Sequence, residues 1–190
     1  GIVSEITLRT EPHNPKTTLM AGFFDDIRDV EEVVYDLRKM SNPPSAIEIV
    51  DRNLINFINE SNPNLLKDAF GKNIPKITML IEFDDSSDRT QSKSEKKAKK
   101  ILEHRGVDCR VEKDEASRDA LWKIRHSTST FIGQGVGNKR AVPIIDDGIV
   151  PVEQLHNFIQ GVYDLFKKNN LPVALWGHGG NANLHVQPVL

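Results

Sequence analysis

An α+β fold is what this sequence predicts, on three observations. Segments with the alternation of strands and segments with the apolar spacing of helices follow one another along the chain. A strand–helix–strand unit recurs over residues 17–50, 76–113 and 141–176. Three helices of ordinary length are too few to bury both faces of a long sheet, so an antiparallel-rich sheet with helices mainly on one face is expected. The specific arrangement expected is ferredoxin-like, a split βαβ unit with room for its duplication.

Each element has its own warrant. Residues 2–10 alternate like a strand that ends near Pro12, and 17–24 form a second apolar run. Residues 26–40 place Ile27, Val30, Val33, Val34 and Leu37 at helical spacing, with Asp25 and Asp26 ahead of them as cap candidates. Asn42-Pro43-Pro44-Ser45 stops that helix, because the residue before a proline is pushed out of the helical region. Residues 46–50 read as a short strand and 52–59 as a short helix. Ile77, Met79, Leu80, Ile81 and Phe83 make 76–84 a strand. A polar loop is expected over 85–93, then a basic amphipathic helix over 93–104. Its lysines read as a solvated face, since no stacking aromatics accompany them.

Residues 107–113 read as a strand with Cys109 as a packing residue, and 115–132 as a helix carrying Leu121, Trp122, Ile124 and Arg125. The glycine-rich stretch 133–139 imitates a phosphate loop. It lacks the Gly-Lys-Ser/Thr of that motif and follows a helix instead of a strand, so a flexible loop is expected. Residues 141–145 read as a strand leading into Asp146-Asp147-Gly148. The clearest helix spans 151–169, with Leu155, Phe158, Ile159, Val162, Leu165 and Phe166 on one side. A buried strand follows at 173–176, and 184–189 is its continuation or partner.

Composition bounds the function. The 190 residues, 38% hydrophobic and 27% charged, fit one ordinary soluble domain, and no Pro/Ser-rich linker divides them. A net charge of -2 gives no general attraction to nucleic acid or anionic membrane. The single cysteine excludes an internal disulfide and suits a reducing compartment such as the cytoplasm. No apolar run approaches the roughly 20 residues of a membrane helix. The first residues are neither a signal nor a transit peptide. Without an initiating Met, and with an abrupt end at Leu190, the chain reads as a piece of a longer protein.

Two places look suited to chemistry. In Gly177-His178-Gly179-Gly180-Asn181-Ala182-Asn183-Leu184-His185-Val186-Gln187-Pro188, two histidines flank small residues that allow tight turning. A strand–loop–strand would let both rings reach one metal, with Asp146 or Asp147 as a carboxylate companion. The alternative is a pair of ordinary loop histidines. The second place is Arg125, after Leu121 and Trp122: a guanidinium suits a carboxylate substrate, and a surface salt bridge is the alternative. His126 and residues 127–130 add polar groups nearby. Composition alone supports no Ser–His–Asp arrangement.

The segment Gly177–His185 resembles the Gly-His-x-Gly-Asp-Gly-Asn-Leu-His signature of the FAD-linked oxidases, in particular the glycolate oxidase subunit and D-lactate dehydrogenase proteins. Asp146-Asp147-Gly148-Ile149-Val150-Pro151, Trp122-Lys123-Ile124-Arg125, Ser45-Ala46-Ile47-Glu48-Ile49-Val50-Asp51 and Gly1-Ile2-Val3-Ser4-Glu5-Ile6-Thr7-Leu8 are similar to further motifs of that family, in the expected order. The resemblance implies that residues 1–190 are the C-terminal substrate, or cap, domain of an FAD-dependent 2-hydroxy-acid dehydrogenase or oxidase. Its flavin-binding domain would precede Gly1, and the chain alone would be inactive. The α-hydrogen of glycolate or D-lactate would pass to the flavin as a hydride.

In that resemblance His178 and His185 match catalytic and metal-ligand histidines for a divalent ion such as Zn, Mn or Fe. Arg125 and Asn183 match substrate-binding positions. An electron acceptor, a homodimer and a peripheral association with membrane fit the same picture. Asn181-Ala182 departs from the usual Asp-Gly, and the later Gly-Glu-His-Gly, which carries a further ligand, is absent. Weak or no metal binding by the chain is therefore expected. A ferredoxin-like regulatory module that binds a small carboxylate or metal without flavin is the competing reading, and an oligomerisation domain is a third.

Overall fold

The computed structural model describes residues 1–10, 14–66, 70, 74–134 and 140–190, the side chains of 129–134 excepted. In chain order the elements are β1 (Thr18–Phe24), α1 (Ile27–Arg38), β2 (Ala46–Asp51), α2 (Arg52–Ser61), β3 (Ile77–Phe83), α3 (Asp88–His104), β4 (Asp108–Glu112), α4 (Glu115–Gln134), β5 (Ile145–Ile149), α5 (Leu155–Lys168), β6 (Val173–His178) and β7 (Asn183–Pro188). Single 3-10 turns stand before α5 and between β6 and β7.

The strands form one antiparallel sheet of seven in the order β4-β1-β3-β2-β6-β7-β5. The three recurring units of the sequence are visible in it. α1 joins β1 to β2 with β3 between them, α3 joins β3 to β4 with β1 between, and α5 joins β5 to β6 with β7 between.

Alternation along the strands feeds two cores. Met20, Ile47, Ile49, Met79, Ile81, Leu175, Leu184 and Val186 face α1, α3 and α5. Leu19, Ala21, Val50, Leu80, Ala174 and Trp176 face α2 and α4, through Leu54, Ile55, Ile58, Leu121 and Ile124. This corrects the expectation of helices mainly on one face: strands such as β1 and β2 are buried almost throughout, so both of their sides need cover.

Three other expectations are corrected. Residues 1–10 form neither helix nor strand and stand exposed, pairing with no strand among the described residues. The helix expected at 93–104 begins at Asp88, because Ser87 caps it by accepting from the Thr90 N–H. Its first turns bury Gln91, bonded to Thr18, Lys16 and Asp85, instead of an apolar side chain. The strand expected over 141–145 lies at Ile145–Ile149, while Ala141 makes a lone bridge to Val189.

Candidate functional site

The face toward α2 and α4 is apolar near β1 and β3 and turns polar across β2, β6 and β7. By alternation Glu48 of β2 shares this side with Val50, His178 of β6 with Trp176, and Asn183 and Gln187 of β7 with His185. Leu121 and Ile124 seat α4 in the core, and the next residue, Arg125, reaches the sheet. Its Nε donates to Glu48 Oε2 at 2.6 Å. The other oxygen, Oε1, lies 2.7 Å from His178 Nδ1. A single carboxylate, its side chain 11% exposed, therefore joins Arg125 to His178.

A carboxylate accepts, so the hydrogen between them sits on His178 Nδ1, and in the neutral ring Nε2 is then the nitrogen with the lone pair. Arg125 Nη1 donates to Thr128 Oγ1 at 3.2 Å. Nη2 makes no hydrogen bond among the described residues.

The His185 ring lies 6.0 Å from that of His178 and 5.6 Å from that of Trp176. Its Nδ1 is 3.5 Å from Asp146 Oδ1, which accepts from Gln187 Nε2 at 3.2 Å. Asp146 reaches β7 where the β5–β7 register shifts between Ile145 and Gly148, and a bulge there re-aims side chains. Asn183 Oδ1 and Gln187 Oε1 are buried acceptors without a donor among the described residues. Beside His178 and Glu48, a cleft of about 340 Å³ opens toward Arg38, Pro44, Gly180 and Asn181.

The β6–β7 turn that aims His178 depends on Gly177, whose φ is 149°. A Cβ there would sit 2.5 Å from the Asn183 carbonyl oxygen. Ala182 adopts a left-handed φ of 50° and donates its N–H to Gly179 O, so the departure from the family's glycine is accommodated at a backbone cost.

The structure thus brings His178, His185, Arg125, Asn183 and Asp146 to one face. Asp147 is exposed at a φ of 59° and takes no part in this network among the described residues. His126 stacks on Trp122, and Ser127 bonds back to the carbonyls of Lys123 and Ile124. Residues 135–139 of the glycine-rich stretch lie outside the described residues, as do the side chains of Ser129 and Thr130. Cys109 is half-buried in β4 and burial pushes its thiol pKa up, in keeping with packing. Among the described residues no three His, Cys, Asp or Glu converge as a metal site.

Glu48 went unassigned in the sequence. The signal was there: a glutamate at a strand position flanked by Ile47 and Ile49 is buried, and a buried carboxylate needs a partner. Asp51 was missed as well. It caps α2 through the Leu54 N–H and accepts from Tyr163 Oη at 3.0 Å, and burial raises its pKa from 3.8 to about 7.

The architecture is shared with solved proteins. Alkyldihydroxyacetonephosphate synthase aligns with a TM-score of 0.63 at 8% identity, over 94% of this chain and 37% of that one. p-Cresol methylhydroxylase aligns with a TM-score of 0.60 at 13% identity, over 94% and 39%. At sequence level, the family model described as FAD linked oxidases, C-terminal domain, matches residues 13–190, and the chain belongs to this family. Glycolate oxidase subunit GlcD of Escherichia coli is 24% identical over 189 residues, covering 97% of this chain and 35% of that protein. The mitochondrial D-lactate dehydrogenase [cytochrome] 1 of Saccharomyces cerevisiae is 26% identical over 194 residues, covering 97% and 31%. The chain spans about a third of the length of these relatives. Among the described residues no helix is long and apolar enough to cross a membrane.

Proposed function

We propose that this chain is the substrate domain of an FAD-dependent 2-hydroxy-acid oxidoreductase of the glycolate or D-lactate type. One observation carries the reading: Arg125, Glu48, His178 and His185 stand together on an open flank of the sheet. The names of the relatives supply the substrate class. We also read β4-β1-β3-β2 as a ferredoxin-like arrangement, with β5-α5-β6 and β7 as a third split unit beside it.

FAD, held mainly by a flavin-binding domain, would supply the hydride acceptor when bound. The chain's own groups then divide the work. Arg125 Nη2 is the donor left to grip the substrate carboxylate, because Nε and Nη1 are already engaged. The imidazoles of His178 and His185 are the basic groups for the hydroxyl proton. Asn183, opposite His178 across the β6–β7 ladder, is the amide assigned to the substrate's polar groups.

The Nε2 atoms of the same two rings are the donors a divalent ion such as Zn, Mn or Fe would use, since each Nδ1 faces a carboxylate as ligand histidines commonly do. The described residues contribute two imidazoles toward such an ion, and a complete site needs at least one ligand more.

The test is anaerobic mixing of the full-length protein with glycolate and with D-lactate while flavin absorbance is followed. Bleaching by either acid is expected. A full-length protein without flavin, or a flavin that no 2-hydroxy acid reduces, would sink the reading. Arg125→Met should lower kcat/KM by on the order of 100-fold, the loss of about 3 kcal/mol that a hydrogen bond between charged groups supplies.

A further inference from the structure

We propose that Glu48 is a positioning residue that fixes the tautomer of His178 and the orientation of Arg125 at once; this deepens the functional reading above. A neutral imidazole has two tautomers, and the bond at one nitrogen decides which is present. Glu48 presents two acceptors and no donor. Oε2 takes the Nε–H of Arg125 at 2.6 Å, and Oε1 takes the Nδ1–H of His178 at 2.7 Å. The carboxylate is held at both ends and nearly buried, its side chain 11% exposed. The neutral His178 ring is thereby held in the Nδ1–H tautomer, the form whose Nε2 can accept a hydroxyl proton or hold a cation. Arg125 is anchored through Nε and, via Nη1, through Thr128, so Nη2 remains for a ligand.

The chemistry of the side chain makes a sharp prediction. In Glu48→Gln the two oxygens become one oxygen and one NH2 group. Arg125 is a cation with donors only, so the amide oxygen must turn toward it. The NH2 group then faces His178 Nδ1, which becomes the acceptor, and the ring proton moves to Nε2. The substitution would invert the tautomer while changing almost no volume.

Long-range 1H–15N correlation spectra of the histidine rings read this directly in the chain as it stands, well above the ordinary imidazole pKa of about 6.5. The His178 resonances are assigned by their loss in His178→Asn. Wild type is expected to show Nδ1–H and Glu48→Gln to show Nε2–H, with His185 unchanged. Wild-type His178 found as Nε2–H would overturn the proposal, and so would a folded Glu48→Gln that keeps Nδ1–H. The wild-type spectrum decides even if the variant does not fold. Neither flavin nor substrate is present, so this result is separate from the flavin-reduction assay.

Discussion

Gly177 decides where His178 points. Its φ of 149° lies in a region L side chains rarely adopt, and an added Cβ would stand 2.5 Å from a backbone oxygen. Gly177→Ala should therefore cost at least about 3 kcal/mol, strain and clash together, read as a lower urea midpoint at unchanged m-value. A loss below about 1 kcal/mol would show that the turn can relax.

A second residue-scale effect sits at Asp51. The folded protein keeps its proton up to about pH 7, whereas the ordinary carboxyl releases it near 3.8. Between those values the native state binds more protons than the unfolded chain, so this group lowers stability as pH rises and the loss is complete above about 7. Asp51→Asn mimics the protonated form. It should exceed wild type by a few kcal/mol at pH 8, and the gain should shrink to near zero by about pH 4. A gain that does not vary with pH would contradict this.

The site was half legible at this scale. His178, His185 and Arg125 carry groups that announce chemistry wherever they fall. Glu48 and Asp51 were hidden because their roles come from partners 77 and 112 residues away, a separation no local pattern encodes.

At the scale of elements, strong periodicity was the reliable guide. α1, α2 and α5 lie where Val30, Val33, Val34 and Leu37, Leu54, Ile55 and Ile58, and Leu155 and Ile159 repeat at helical spacing. β5 could not be read that way: Ile-Asp-Asp-Gly-Ile has no alternation toward a core, its side chains are largely exposed, and pairing with β7 is what makes it a strand. The apolar run before it misled because Pro143 has no N–H to give a ladder. α5 offers a test of intrinsic propensity. Gly161 lies in mid-helix on the exposed side, and an added Cβ meets nothing within 4 Å. Gly161→Ala should stabilise the protein by about 0.5–1 kcal/mol, the opposite sign to Gly177→Ala. A thermal midpoint that stays put or falls would show that α5 has a contact requiring the glycine.

At the scale of the whole molecule, the two cores share one set of strands. Neighbouring residues of β1, β2, β3 and β6 point to opposite sides: Leu19 and Met20, Ile49 and Val50, Leu80 and Ile81, Leu175 and Trp176. Removing either helical layer would expose one side of every central strand. The bond from Tyr163 of α5 to Asp51, which caps α2, further ties one layer to the other. The protein should therefore unfold as one unit. Both tryptophans belong to the α2–α4 side, Trp176 within the core and Trp122 packed against it. Their fluorescence reports that side, whereas helical ellipticity comes in larger share from α1, α3 and α5. Urea transitions followed by the two signals should coincide. Leu54→Ala, which opens a cavity at a fully buried position on the tryptophan side, should cost about 2–5 kcal/mol and lower both midpoints together. If fluorescence shifted while ellipticity held its midpoint, the layers would be independently stable and the shared sheet would not couple them.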